Sequence, residues 1–335
     1  MDASGMLTRR RTLVDPNWFS RVGSPREQSD MNAREDLLLL GIDGGGSRCR
    51  ARLCTISGAV LSEGTAGSAN VRLGAEQSFA SVHEAAVQCM SGAGLSSRDF
   101  DRVVACLALA GTSEPSQLEA ARAREHPYRK TVFVTDAEAA CIGAHGGRNG
   151  GVIVIGTGSI GWAELNGRQY RIGGWGWPIS DEGSGAWLGC EALRRTLWAY
   201  DGRIAWTPLL RSLFARFRSD AHAMVAWMTD ALPKDFASFA PEIIEHGCAN
   251  DPVAVELLRL AGGHIDALAR VLVNLGVNRL SLVGGLAVSV EPWLADATRH
   301  HLVSPRGDAV DGALQVAREA AESLCHNVAG PGHFR

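Results

Sequence analysis

The feature that most constrains the fold is a pattern that occurs twice: an apolar strand, a glycine-rich turn and a returning strand. The first copy places Gly44-Gly45-Gly46-Ser47 between apolar segments at 37–43 and 48–56. The second places Gly156-Thr157-Gly158 between segments at 151–155 and 161–165, and an Asn-Gly pair then predicts a hairpin into a third strand. The duplication predicts two units that begin in the same way.

The remaining patterns place helices between buried strands in both units. In the first unit we expect strands at 37–43, 48–56, 59–65, 102–110 and 131–135 and helices at 75–90, 117–124 and 137–144. In the second we expect helical segments to about 261, a helix at 262–275, a strand at 279–283 and a terminal helix at 309–324. The order predicts an α/β protein of two lobes, with a ligand cleft beyond the strand ends where the glycine clusters fall.

Composition narrows the class of protein. A chain of 335 residues with 46% hydrophobic side chains can bury cores in two domains, and its net charge of -3 favours a small-molecule partner over nucleic acid. Its sequence contains no apolar stretch near the roughly 18 residues of a membrane span. Eight scattered cysteines without a C-x-x-C pair indicate reduced thiols. We therefore expect a cytoplasmic protein that binds neither nucleic acid nor membrane.

The expected domain boundaries follow from these patterns. Residues 1–35 are polar and Arg-rich, which predicts a disordered extension, and an alternative start of translation near Met31 would remove most of it. We expect a first lobe at 36–148 and a second lobe at 149–325 that contains a helical insertion at about 183–260. Residues 326–335 are expected to form a tail.

The two glycine turns are candidate phosphate sites because glycine lets backbone N–H groups approach an anion closely. Asp43 precedes the first turn, where a carboxylate can orient hydrated magnesium. A hairpin without a ligand explains the first turn equally well. The second turn, 156–161, also fits the dinucleotide fingerprint of an NAD-dependent oxidoreductase, but that motif must open a helix and this one leads into a strand.

Carboxylates stand beside other strand ends and loops. Asp136 follows a predicted strand and could accept a proton in the cleft, or it could simply cap the next helix with Thr135 and Glu138. Trp175, Trp177 and Asp181 lie in a glycine-rich loop that suits a sugar, although core packing and helix capping are the plainer readings.

The ordered motifs GIDGGGS, GSAN, TDAEAA, IGTGS, GWGWPISDEGSG, VGGLA and DGAL resemble the BadF/BadG/BcrA/BcrD-type ATPase family, within the actin-like superfamily that includes sugar kinases. The resemblance covers about residues 37–320, and it is strongest to the bacterial glucosamine and N-acetylglucosamine kinases. It implies two ribonuclease H-like lobes, ATP and magnesium as cofactors, phosphorylation of the 6-hydroxyl of an amino sugar, and a homodimer.

The resemblance also implies residue roles. Asp43 would hold magnesium through water, and Asp136 would be the general base. Phosphate would lie on the first turn, from Gly44 through Gly45 and Gly46 to Ser47, and on the second, at Thr157, Gly158 and Ser159. Sugar ligands would be Asn70, Asp136, Gly158, Trp175 and Asp181, and the adenosine site would be lined by Gly284, Gly285 and Gly312.

Two questions stay open at this level. Glucosamine and N-acetylglucosamine differ by one acetyl group and by charge, and the motifs do not choose between them. The alternative function is an ATP-hydrolysing activator or sensor without sugar kinase activity. That alternative leaves Asn70, Trp175 and Asp181 without a role, and the chain contains no cysteine in a loop like those of the iron–sulfur activators.

Overall fold

A computed structural model describes residues 36–147 and 149–328, and its first sheet has five strands. Their order across the sheet is β3-β2-β1-β4-β5. The first three strands form an antiparallel meander, and β4 and β5 continue the sheet in parallel with β1. The strands are β1 (Leu38–Gly44), β2 (Cys49–Thr55), β3 (Val60–Ala66), β4 (Val103–Leu109) and β5 (Lys130–Thr135).

Three helices accompany this sheet: α1 (Ala75–Gly92), α2 (Pro115–Arg122) and α3 (Asp136–His145). Every residue of β4 is buried, which explains its unbroken apolar sequence, whereas β3 lies at the sheet edge and buries only Gly64. The predicted order of strands and helices in the first unit is confirmed.

The second sheet repeats the opening of the first. It contains β6 (Gly150–Ile155), β7 (Ser159–Leu165), β8 (Arg168–Gly173) and β9 (Leu280–Val283), in the order β8-β7-β6-β9. The strands β6, β7 and β8 are antiparallel, and β9 runs parallel to β6 as β4 runs parallel to β1. The predicted α/β duplication is therefore present in the fold.

A helical insertion separates β8 from β9. It consists of α4 (Gly185–Tyr200), α5 (Pro208–Ala215), α6 (Ala221–Met228), α7 (Pro233–Ala237), α8 (Ala240–Cys248) and α9 (Pro252–Asn274). These helices bury a core of their own. The predicted start of the long helix at 262 is wrong, because Asp251 caps the N–H groups of Val253 and Ala254 and the helix begins at Pro252.

The last helix corrects the predicted lobe boundary. After α10 (Ala287–Val290) and α11 (Asp296–Arg299), α12 (Ala309–Val328) returns to the first lobe. Its buried residues Ala313, Val316 and Ala317 pack in one core with Leu39 and Val104 of the first sheet. The second lobe therefore ends before α12, because the apolar face of this helix covers the first sheet. Of the predicted termini, 1–35 and 329–335 lie outside the described residues.

The helices α3 and α12 cross at two glycines. A Cβ atom at Gly143 would overlap the Asp308 carbonyl, and one at Gly312 would overlap the Ala139 carbonyl. Gly312 is buried in this crossing. The prediction that it lines the adenosine site therefore needs correction, because its neighbours are the backbone of α3.

Within the described part of the chain, no helix is long and apolar enough to cross a membrane. The seven cysteines whose side chains the structure describes are free thiols, and five of them are buried. The structure shows no group of three or more His, Cys, Asp or Glu side chains in the described ranges that could hold a metal ion.

We predict that Gly312→Ala destabilises the protein, because the added methyl group must push α3 and α12 apart. Overpacking of this kind costs about 1–3 kcal/mol of unfolding free energy. The matched control is Gly263→Ala, in the interior of α9 with open space at its Cβ position, which is expected to be neutral or stabilising by about 0.5–1 kcal/mol. Denaturant unfolding measures both, and equal effects would contradict the crossing.

Candidate functional site

In the first glycine turn, fewer backbone N–H groups are available to a phosphate than the four residues predicted from the sequence. Gly44 is packed against Leu109 and Ala69, and the Gly45 N–H donates to the Arg48 carbonyl at 3.0 Å. Nothing lies within 4 Å of the Cβ position of Gly46. Among the described residues, the Gly46 and Ser47 N–H groups have no acceptor. The part of this turn open to an anion is therefore Gly46–Ser47.

The second turn is fixed by the start of α4. The carbonyls of Gly156 and Thr157 accept from the N–H groups of Gly185 (2.9 Å) and Ala186 (3.2 Å). Within the turn, the Gly156 N–H donates to the Gly158 carbonyl at 2.9 Å. The Thr157 and Gly158 N–H groups donate to nothing in the described ranges, so they are available to an anion.

The two turns meet. The Ser47 Oγ and Thr157 Oγ1 atoms lie 2.9 Å apart, so the hydroxyls of two distant sequence motifs are in hydrogen-bond contact. Free N–H groups of both turns therefore border one space at the mouth of the cleft. A polyphosphate is the kind of ligand that two such turns can hold from opposite sides.

Asp43 stands at the end of β1 beside the first turn. Arg50 donates to its Oδ2 atom from Nη2 (2.7 Å) and from Nε (3.3 Å). Burial raises the pKa of Asp43, while the Arg50 bonds oppose that rise. Both bonds go to Oδ2, which leaves Oδ1 as a hard oxygen donor that fits a hydrated magnesium ion next to the turn.

Asp136 is the first residue of α3, and the residue that caps this helix is the preceding Thr135. Thr135 accepts the Glu138 N–H at 3.1 Å, so the plainer reading of Asp136 as the helix cap is wrong. Its Oδ1 accepts the Ala137 N–H at 2.9 Å. Burial, and then the charge of Asp43, raise the pKa of Asp136 to about 6. A carboxylate in this range is ionised at neutral pH and still accepts a proton readily.

Asn70 and Trp175 are brought together by an arginine that lies between them. The Asn70 Oδ1 accepts the Arg72 N–H at 3.1 Å, and Arg72 Nη1 donates to the Trp175 carbonyl at 3.3 Å. Trp175 is 67% exposed, while Trp177 packs against Phe236 of the helical core, with ring centroids 5.3 Å apart and tilted ring planes. Core packing thus explains Trp177, and Trp175 remains a candidate sugar platform.

Asp181 lies over the second turn with a left-handed backbone (φ 71°). A Cβ atom at Gly158 would meet its Oδ2 at 3.0 Å, so Gly158 leaves room for this carboxylate. Burial raises the pKa of Asp181, and the backbone N–H groups of Ser159, Gly176 and Trp177 oppose that rise. The carboxylate therefore ties the tryptophan loop to the second turn.

Gly284 and Gly285 are exposed at the end of β9, beside the second turn. Gly284 adopts φ 101°, and a side chain there would collide with the Ile155 backbone. The Leu286 N–H donates to the Ile155 carbonyl at 3.0 Å, whereas Gly285 faces open space. This surface next to the turn stays our candidate for the adenosine site.

Comparison with known proteins identifies the relatives of this arrangement. A sequence model of the BadF/BadG/BcrA/BcrD ATPase family matches residues 40–304. The chain belongs to this family. The glucosamine kinase of Vibrio cholerae is 38% identical over 85% of this chain and 97% of its own length. An N-acetylmuramic acid/N-acetylglucosamine kinase of Clostridium acetobutylicum is 26% identical over 85% of this chain and 99% of its own length.

Solved structures agree with the two-lobed fold of this ATPase family member. A proposed N-acetylglucosamine kinase from Chromobacterium violaceum superimposes with a TM-score of 0.80 at 34% identity, over 84% of this chain and 99% of its own. A similarly described protein from Porphyromonas gingivalis gives a TM-score of 0.64 at 16% identity, over 84% and 99% of the two chains, which supports the fold alone.

Sequence reasoning missed Arg171 and Arg72. Arg171 Nε donates to the Gly173 carbonyl at 3.2 Å, and its guanidinium lies 4.3 Å from the centre of the Trp175 ring. It is close enough to Asp136 to lower the pKa of that carboxyl. Together the two arginines hold the carbonyls of 173–175 from opposite lobes. For Arg171 the available signal was a positive charge two residues before the Gly173-Gly174-Trp175 sequence.

We predict that Asp136 titrates near pH 6 in ¹³C NMR spectra of the aspartate-labelled protein. Arg171→Gln should move the titration midpoint upward, because a stabilising positive charge is lost. Asp43→Asn should move it downward, because a repelling negative charge is lost. The control is Arg168→Gln, at an exposed position on the strand that contains Arg171, and it should leave the titration midpoint of Asp136 unchanged. Unchanged midpoints in the Arg171 and Asp43 variants would refute this electrostatic description.

Proposed function

We propose that the chain is an ATP-dependent amino-sugar kinase that phosphorylates the 6-hydroxyl of glucosamine or N-acetylglucosamine. One observation carries the proposal: the Ser47 and Thr157 hydroxyls lie 2.9 Å apart, in a cleft where Asp136 has a pKa of about 6. Phosphoryl transfer needs anion binding, charge neutralisation and a proton acceptor together, and each of these requirements has a candidate group here.

The anion-binding groups are the free N–H groups of the two turns. Gly46 and Ser47 from one lobe and Thr157 and Gly158 from the other would hold phosphate oxygens. Asp43 would hold magnesium through water, and the bound ion would neutralise charge on the phosphate oxygens. Binding between two lobes excludes water, which favours transfer to a sugar over hydrolysis.

The proton acceptor is Asp136. It lies near enough to Asp43 for the two charges to interact, which supports a role beside the proposed magnesium and phosphate positions. The N–H of Ala137 holds its Oδ1, so the carboxylate is oriented at the start of α3. It would accept the proton of the attacking sugar hydroxyl.

The acceptor sugar would lie on Trp175 and between Asn70 and Asp181. An exposed indole face suits the C–H surface of a pyranose, and the polar side chains suit its hydroxyls. The two relatives with amino-sugar substrates in their names favour this class of acceptor. A cytoplasmic location and a homodimer stay predictions.

The direct test measures ADP release from Mg-ATP with glucosamine, N-acetylglucosamine, glucose, N-acetylmannosamine or no sugar. Asp136→Asn should lower sugar-dependent kcat by about 10²–10⁴-fold, because the proton acceptor is lost. Asp101→Asn, at an exposed position, should leave the rate unchanged. ADP release that is indifferent to every sugar would overturn the kinase and support the ATP-hydrolysing activator.

The pH dependence provides a second prediction. Protonated Asp136 cannot accept the hydroxyl proton, so kcat/KM for the sugar should fall tenfold per pH unit below about pH 6. Steady-state rates between pH 4.5 and 8, with the stability of the protein checked at each pH, measure this decrease in kcat/KM. A constant kcat/KM between pH 8 and pH 4.5 would show that another group controls the reaction.

A further inference from the structure

Arg50 lies between two carboxylates that come from distant parts of the chain. From β2 it reaches the Asp43 Oδ2 at the end of β1 with Nη2 (2.7 Å), and the Asp308 Oδ2 before α12 with Nη1 (2.6 Å). Asp43 is 18% and Arg50 29% exposed at the side chain, so the contact with Asp43 is largely shielded from solvent.

The backbone, and not Arg50 alone, sets the position of both acids. Asp308 caps α12, because its Oδ1 accepts the N–H groups of Val310 (2.9 Å) and Asp311 (3.1 Å). Asp43 is held in the paired strand β1, opposite Arg50 itself. The two carboxylates would therefore stay close to each other if the guanidinium were removed.

Two fixed carboxylates on either side of one cation resemble the coordination that divalent ions prefer, since Mg²⁺ takes oxygen ligands from one or two carboxylates. Removing the guanidinium would leave the like charges of Asp43 and Asp308 close to each other, and the charge of Asp308 already raises the pKa of Asp43. A divalent cation would then relieve the repulsion that Arg50 relieves in this structure.

We propose that Arg50 is a built-in counterion that makes magnesium binding at Asp43 depend on the nucleotide. The guanidinium occupies the Oδ2 atoms of both carboxylates in this structure, and it would supply the positive charge that they need before nucleotide binds. Only Oδ1 of Asp43 remains for a hydrated cation, which then requires phosphate oxygens as further ligands. Arg50 is thus a positioning residue, and the assignment of the nucleotide rests on the proposed function.

The test measures Mg²⁺ binding without nucleotide or sugar, by calorimetry and by thermal melting. The parent protein should show no binding at about 10 mM Mg²⁺. Arg50→Met should bind Mg²⁺ with a Kd of about 1 mM or below, and its Tm should rise by about 2–3 °C at saturation.

Three control variants separate this effect from a general loss of charge. Arg50→Lys keeps a cation in place and should behave like the parent. Adding Asp308→Asn to Arg50→Met removes one ligand and should abolish the Mg²⁺ response. Arg52→Met should give no response, because the carboxylates that Arg52 bridges, Glu63 and Asp311, are 60% and 44% exposed and remain hydrated.

Two results would overturn the proposal: Mg²⁺ binding to the parent as tight as to Arg50→Met, or no binding to a folded Arg50→Met. If Arg50→Met does not fold, electron paramagnetic resonance of Mn²⁺ with the parent decides. Mn²⁺ should stay free in the absence of nucleotide, and binding under that condition would contradict the role of Arg50. These experiments need no turnover, so a failed sugar assay and a failed counterion role give different results.

Discussion

The helix α3 packs between the two sheets, and the rest of the site depends on that packing. Ala139 and Ile142 lie in the core of the first sheet, while Ala137, Ala140 and Cys141 form a cluster with Val152 and Trp162 of the second. A helix that is apolar around its circumference is buried on opposite sides in this way. Its N-terminus therefore has a fixed position relative to both lobes, and Asp136 is its first residue.

The geometry of the cleft follows from this central helix. The glycine turns extend from β1 and β6, which lie on either side of α3, and they meet through the Ser47 and Thr157 hydroxyls. The C-terminal helix crosses α3 at Gly143 and Gly312, so the first lobe includes the last helix of the chain. Two distant segments thereby form one scaffold that supports the carboxylates of Asp43, Asp136 and Asp308.

The sequence allowed the strands, the duplication and most candidate site residues to be predicted, because these depend on local signals. Apolar runs that end in glycine identify β1 and β6 without tertiary information. Tertiary packing decides which of the predicted glycines can contact a ligand. Gly44 and Gly312 are packed closely against other parts of the protein, and the Gly45 N–H donates to a carbonyl within its own turn. The contacts of Arg72, Arg171 and Arg50 join residues far apart in the sequence or depend on loop shape, so no local pattern reveals them.

We propose that both turns hold one polyphosphate beside the proton acceptor Asp136. This arrangement can be tested with a crystal structure of the protein with a non-hydrolysable ATP analogue and an amino sugar. Terminal phosphate oxygens should lie on the N–H groups of Gly46–Ser47 and Thr157–Gly158, with the sugar 6-hydroxyl about 3 Å from the Asp136 carboxylate. A nucleotide bound to one turn only, or a sugar hydroxyl directed away from Asp136, would contradict it.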